Sequence, residues 1–229
     1  MRWLAGHWQL LALLAAIAAL WSTPAVAPLK ILVVFLHELS HALAALLTGG
    51  KVESLTIDAA QGGMVTARGG SRFWTLTAGY LGSLLFGLVL TIGAVRTHFD
   101  RVILALLGAA LLIVAGVYIR DGFALAFTAC TGAVMLISAR FLPHVAADLA
   151  LRVIGLTSMI YVPLDIFSDT IARAHLRSDA AMLAEEFGGT TTLWGGLWLG
   201  LSLCAIAACL RWGLGTSSNI PLPRRSQSS

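Results

Sequence analysis

Long apolar runs alternate with short polar breaks along the chain, and the runs have the length of membrane-spanning helices. Crossing the hydrocarbon core takes about 20 helical residues, with a range of roughly 17–25. Stretches of that kind cover residues 5–22, 28–48, 74–95, 101–119, 121–141, 144–164 and 191–212. Only Arg120, Asp121 and Gly122 separate the fourth run from the fifth, which predicts a tight antiparallel helical hairpin and a total of six or seven spans. Pro24 and Pro28 break the chain between the first two runs. Pro143 opens the sixth, where its missing N–H costs nothing.

Two polar segments interrupt this pattern. Residues 49–72 hold two short β-prone runs, 52–58 and 64–68, about a Gly-containing turn, which predicts a β-hairpin directly after the second helix. Residues 165–189 are the most charged part of the chain and read as helical and amphipathic. The expected fold is therefore an all-α polytopic membrane protein, a bundle of about six to seven transmembrane helices with a small β-hairpin inserted after the second. Residues 1–216 form a single membrane-embedded domain in this reading. Residues 217–229 are a polar, Pro-containing tail with the composition of a disordered segment.

Composition strengthens the membrane reading and removes others. Of 229 residues, 58% are hydrophobic and 11% charged, against about 25% charged in an average soluble domain. The mean hydropathy is +0.87. A soluble fold this apolar could not cover its surface, whereas one bathed in lipid has no need to. The net charge of +4 does not indicate nucleic acid, because the basic residues lie singly between apolar runs, as in loops flanking spans. Lys and Arg divide almost evenly between alternate loops, so orientation stays open. Arg224 and Arg225 give a slight bias toward a cytoplasmic C-terminus.

Cys130, Cys204 and Cys209 form no CxxC and sit in apolar stretches, where Cys acts as a small hydrophobe. They imply neither a disulfide framework nor a thiolate metal site. Arg2 before the first run and Ala-Val-Ala at residues 25–27 resemble a leader peptide. The many spans that follow favour reading that run as the first membrane helix. High Ala and Gly content with few lysines points to a bacterial cell membrane.

The chemistry concentrates in the second run, where His37-Glu38-Leu39-Ser40-His41 lies among apolar residues. Histidines at i and i+4 share one helical face and can converge on one metal ion. Glu38 is about 100° further round the helix and can reach a metal-bound water without displacing it, which suits a general base. Zn²⁺ is the expected ion, since it lowers the pKa of bound water to about 7. An H-E-x-x-H pattern arises by chance in roughly 0.3% of chains with this His and Glu content. Its position at membrane depth, where ionisable groups mark function, sharpens the signal.

Catalytic zinc takes a third protein ligand and leaves one position for water. His7, His98 and His144 fall at predicted helix ends, where an interfacial histidine is the commoner explanation. The strongest region is residues 161–173. Asp165 and Asp169 are i, i+4 there, so that one could bind the metal while the other orients a ligand histidine. An ordinary helix end with an Asp169–Arg173 ion pair is the competing reading.

These residues resemble the site-2 protease family of intramembrane zinc metalloproteases, in particular its compact branch without a PDZ domain. The resemblance rests on residues 35–42, on the hairpin segment and on Ala78-Gly79-Tyr80-Leu81-Gly82-Ser83. The late residues 165–171, Ser178-Asp179-Ala180 and Trp194-Gly195-Gly196 extend it. It implies that His37 and His41 are zinc ligands, that Glu38 is the catalytic base, and that an aspartate on a later transmembrane helix is the third ligand. Asp165, which follows Pro163 at the end of the sixth helix, is preferred, with Asp169 the second candidate. The chain lacks the Asn-Pro-Asp-Gly form of that motif.

Gly79 and Gly82 would let helices approach closely near the metal. The hairpin strand edge could hold an unwound substrate by β-augmentation, with Ile57 and Val65 as positions to test. The expected activity is hydrolysis of peptide bonds in a membrane-embedded or membrane-associated protein substrate, by zinc-activated water and the glutamate base. A metal-binding transport or sensor protein and a catalytically inactive membrane scaffold are the alternatives. Nucleic acid is not an expected partner, and the oligomeric state stays open.

Overall fold

The computed structural model describes residues 2–173 and 177–220. Helices α1 (Arg2–Ala19) and α2 (Ala27–Leu47) are followed by strands β1 (Lys51–Ile57) and β2 (Gly63–Arg68). Then come α3 (Arg72–Arg96), α4 (Asp100–Tyr118), α5 (Gly122–Phe141) and α6 (His144–Phe167). A π-helical turn (Ser168–Ala172) ends α6, and α7 (Asp179–Phe187) and α8 (Thr191–Gly213) complete the order. Among the described residues, six helices are long and apolar enough to cross a membrane: α2, α3, α4, α5, α6 with its π-helical turn, and α8. The apolar part of α1 is shorter, Leu4–Ala19.

The element starts follow local rules. Pro28 occupies the first turn of α2, where its missing N–H leaves no bond unmade. Asp121 caps α5 by accepting from the Ala124 N–H at 2.8 Å. Pro163 removes one donor from the ladder of α6, and the helix widens into its π-helical turn five residues later. Residues 165–189 therefore do not form one amphipathic helix. Asp165 ends α6, Asp169 lies in the π-helical turn, and Asp179 opens the separate helix α7.

Helix α3 packs along α2 and α6 at the centre, while α4 pairs with α5 at the edge. The core gathers Phe35, Leu36, Leu76, Tyr80, Leu111 and Ile166, all almost wholly enclosed. Outward positions such as Leu106, Ile113, Val134 and Leu201 are apolar too, which suits lipid as the solvent.

The hairpin pairs β1 with β2 antiparallel, Leu55 opposite Val65 and Ile57 opposite Gly63, with an irregularity between Val52 and Ser54. Leu55 and Ile57 are buried in the core. Asp58 shapes the turn, its Oδ1 accepting from the N–H groups of Ala60 at 2.7 Å and Gly62 at 2.9 Å. Thr56 donates to Asp121, tying β1 to the α4–α5 connection. That bond, with the Ala124 N–H, holds the Asp121 carboxyl below its ordinary range.

The start of the expected disordered tail is anchored instead. The Ser218 N–H donates to the Gly6 carbonyl at 2.9 Å, and the Ile220 N–H to Gln9 Oε1 at 2.6 Å. His7 Nδ1 lies 2.8 Å from Ser218 Oγ. The buried Arg152 guanidinium donates to Asp148 Oδ1 at 2.6 Å and to the Ser218 carbonyl. A cation enclosed in an apolar bundle needs acceptors, and this segment supplies one. Residues 221–229, with Arg224 and Arg225, lie outside the described residues.

Candidate metal centre

The site forms where α2, α3, α6, α7 and the hairpin meet around a cleft of about 710 Å³. One helical turn places His37 and His41 on the same face of α2, their rings 4.7 Å apart. His37 Nε2 lies 3.0 Å and His41 Nε2 3.1 Å from the same oxygen, Asp179 Oδ2. Among the described residues, His37, His41 and Asp179 are the group of His, Cys, Asp and Glu whose donor atoms all lie within 4.8 Å of one another.

Asp179 is held there by α7. Ser178 caps that helix, its Oγ accepting from the Ala181 N–H at 3.3 Å. Ala180 and Leu183 are fully enclosed and anchor its apolar face. Arg72 at the start of α3 clasps it, donating to Glu186 Oε1 at 2.8 Å, and Phe73 packs on Phe187. Burial pushes the Asp179 carboxyl up, but the positive charge of protonated imidazoles beside it, and their hydrogen bonds, outweigh that and hold it well below the usual carboxylate range.

The hydrogen bonding fits a metal ion. His41 Nδ1 lies 2.7 Å from the Thr75 carbonyl, which can only accept, so the proton is assigned to Nδ1. A neutral His41 then turns the lone pair of Nε2 toward Asp179 Oδ2. Two acceptors 3.1 Å apart need a positive charge between them, a proton or a metal ion. Tetrahedral coordination at Zn–N distances of about 2.0–2.1 Å sets donor atoms about 3.3 Å apart, close to the separations found. Two imidazoles and a carboxylate are also a zinc donor set.

Glu38 borders the same cleft and is only 6% exposed. It makes no hydrogen bond or ion pair among the described residues. Gly63 of β2 lies against it, and a Cβ there would stand 2.5 Å from Glu38 Oε1. Gly79 is pressed on the histidines in the same way, where a Cβ would stand 2.6 Å from His41 Nε2. At Gly82 a Cβ would stand 2.5 Å from Ser40 Cβ. These close approaches match the reading of Gly79 and Gly82 from the chain pattern.

Asp165 and Asp169, the expected third donors, line the same cleft but lie outside the converging group. Asp165 makes no hydrogen bond among the described residues. Asp169 accepts from the Tyr80 hydroxyl at 2.8 Å and from Arg173 at 2.7 Å. The residue that does converge, Asp179, sits in the Ser178-Asp179-Ala180 stretch. An Asp after a Ser cap reads as a helix-start signal, and beyond that its only mark in the sequence is the place of this stretch in the family resemblance. His7 and His144 lie at the other end of α6 from the site, His7 through its contact with the tail.

In the hairpin, Gly63, Met64 and Val65 line the cleft. Among the described residues, β2 pairs with no strand but β1. Ile57 is 2% exposed and faces the core, so a proline there would break the fold instead of probing substrate.

No curated protein and no solved structure matches the chain. A family model described as Peptidase M50B-like matches residues 10–209, the stretch that holds both histidines, Glu38, the hairpin and Asp179. The chain therefore belongs to the Peptidase M50B-like family, the site-2 protease group of membrane metallopeptidases.

Proposed function

We propose that the chain is an intramembrane zinc metalloprotease that hydrolyses peptide bonds of membrane-embedded or membrane-associated protein substrates. The observation that carries this reading is the buried Glu38 carboxylate, which makes no hydrogen bond among the described residues and borders the same cleft as three converging donors. A carboxylate at membrane depth costs several kcal/mol, and the ionisable residues found there usually mark function. The Ala- and Gly-rich, Lys-poor composition supports a bacterial cell membrane as the setting.

His37 Nε2, His41 Nε2 and Asp179 would hold the ion, with Asp179 in the role that the family resemblance implies for Asp165 or Asp169. Zinc, when bound, supplies Lewis acidity that makes water nucleophilic near neutral pH and polarises a carbonyl. Glu38 accepts the proton of the attacking water on a carboxylate oxygen and returns it to the amine nitrogen as the C–N bond breaks. The Thr75 carbonyl keeps the His41 proton on Nδ1 and so keeps Nε2 free as a donor. The β2 edge beside Glu38 suits a substrate segment held extended by main-chain hydrogen bonds.

The test is zinc stoichiometry together with cleavage of a transmembrane model substrate, for wild type and Glu38→Gln. We expect about one zinc per chain in both, with cleavage falling by about 10²–10⁴-fold in the variant. Zinc in both with equal cleavage would remove Glu38 from the chemistry. Zinc in both with no cleavage by wild type would favour a metal-binding sensor or transport protein. Well-folded protein without zinc would overturn the site itself.

A further inference from the structure

The two histidines are steadied in different ways. His41 is oriented by the bond between its Nδ1 and the Thr75 carbonyl. His37 has no such bond: among the described residues its hydrogen bond runs through Nε2, toward Asp179. A metal-ligating imidazole is almost always oriented by a hydrogen bond on its distal nitrogen, and that bond tunes metal affinity. Something else must hold the His37 ring.

Tyr80 occupies that place. Its ring meets His37 edge to face, with centroids 4.8 Å apart and planes at 82°. Trp198 backs it at 5.3 Å, and Tyr80 is only 2% exposed. The hydroxyl donates to Asp169 Oδ2 at 2.8 Å. Asp169 Oδ1 in turn accepts from Arg173 Nη2 at 2.7 Å, and Arg173 Nε donates to Ser168 Oγ at 3.0 Å. The phenol is thus gripped at its far end by a carboxylate that is itself gripped, so the ring can neither tilt nor withdraw from His37.

We propose that Tyr80 is the positioning residue for His37, in place of the missing hydrogen bond, and that Asp169 acts on the metal site through Tyr80 without being a ligand. The inference rests on the reading of His37, His41 and Asp179 as a zinc site. It gives a role to the π-helical turn, which carries Asp169 to the end of α6. Functional sites often carry such turns.

The test uses the full chain in detergent, as wild type, Tyr80→Phe, Tyr80→Leu, Asp169→Asn and the Tyr80→Phe/Asp169→Asn double variant. Zinc affinity is read by competition with a chromophoric chelator, ligand geometry by the visible spectrum of the cobalt-substituted protein, and folding by thermal melting. Removing the ring in Tyr80→Leu should weaken zinc binding about 10–100-fold and shift the cobalt bands. Tyr80→Phe and Asp169→Asn keep the ring and lose its anchor, and each should cost about fivefold, the worth of a hydrogen bond. The double variant should lose no more than either single one.

Wild-type zinc affinity and cobalt spectra in all variants would overturn the inference. So would weakened binding with lowered melting and unshifted cobalt bands, the mark of a merely structural residue. If Tyr80→Leu does not fold, the two volume-conserving variants decide on the same criteria. A wild type that binds no metal would overturn the site reading and this inference together. A zinc-binding wild type with unaltered variants would overturn this inference alone.

Discussion

Replacing Gly79 with alanine asks whether the His37 and His41 rings of the candidate metal centre are confined against α3 as closely as the structure has them. The added methyl would stand 2.6 Å from both Nε2 and Cε1 of His41, and closer still to His37 Nε2. Ordinary contact needs about 3.5 Å, so the rings or the helix must move by roughly 0.9 Å at His41 and by more at His37. That is nearly half of a Zn–N bond of about 2.0–2.1 Å. The neighbours are not free to give way. His41 is fixed by the Thr75 carbonyl, and His37 is wedged between His41 and Tyr80. A displacement of about 1 Å at a reacting centre costs on the order of 100-fold, or about 2.7 kcal/mol. Gly79→Ala should therefore lower zinc affinity and substrate cleavage by about 100-fold or more, with helix content by circular dichroism unchanged. Gly200→Ala is the matched control, since α8 leaves open space there with no atom within 4 Å, and it should keep both properties. A Gly79→Ala protein with wild-type zinc affinity and cleavage would refute the reasoning, because it would show that α3 does not press on the histidines.

The remaining predictions address the third donor and the hairpin. Asp179→Asn should weaken zinc binding by more than about 100-fold, beyond the usual cost of a supporting residue, whereas Asp165→Asn should keep tight zinc. The opposite pattern, measured by chelator competition, would return the ligand role to Asp165. Val65→Pro removes a main-chain donor from the strand that lines the cleft, and should cut cleavage of a transmembrane substrate about tenfold or more with zinc content intact. Undiminished cleavage would dispose of the strand-edge reading.

What could be read from the chain beforehand was local. An i, i+4 histidine pair shares a helix face whatever else the fold does, and apolar runs of 20 residues have one solution in lipid. The hairpin followed from two β-prone runs about a Gly-containing turn, and Gly79 and Gly82 from small-residue spacing. The carboxylate that converges on the two histidines is a different kind of problem. Asp179 lies 142 residues from His37, and nothing in local spacing reports which distant carboxylate the packing of α7 on α3 delivers. Asp165 and Asp169 carried the stronger local pattern, and they do reach the cleft. The Tyr80 hydroxyl, one residue after Gly79, takes Asp169 into its own hydrogen bond instead.

The tail shows the same division from the other side. Its polar composition reads as disorder because composition averages over a segment. Whether residues 217–220 are ordered depends on particular partners: Arg152, enclosed in α6, has one acceptor in Asp148 and takes a second in the Ser218 carbonyl. In water that guanidinium would be satisfied by solvent and the tail would be free to leave. In an apolar bundle an unmet donor costs several kcal/mol, so the acceptor it requires becomes a constraint on the backbone that supplies it. Order here follows from the need of a buried charge two helices away in the chain, and that need is visible only once the fold has enclosed Arg152.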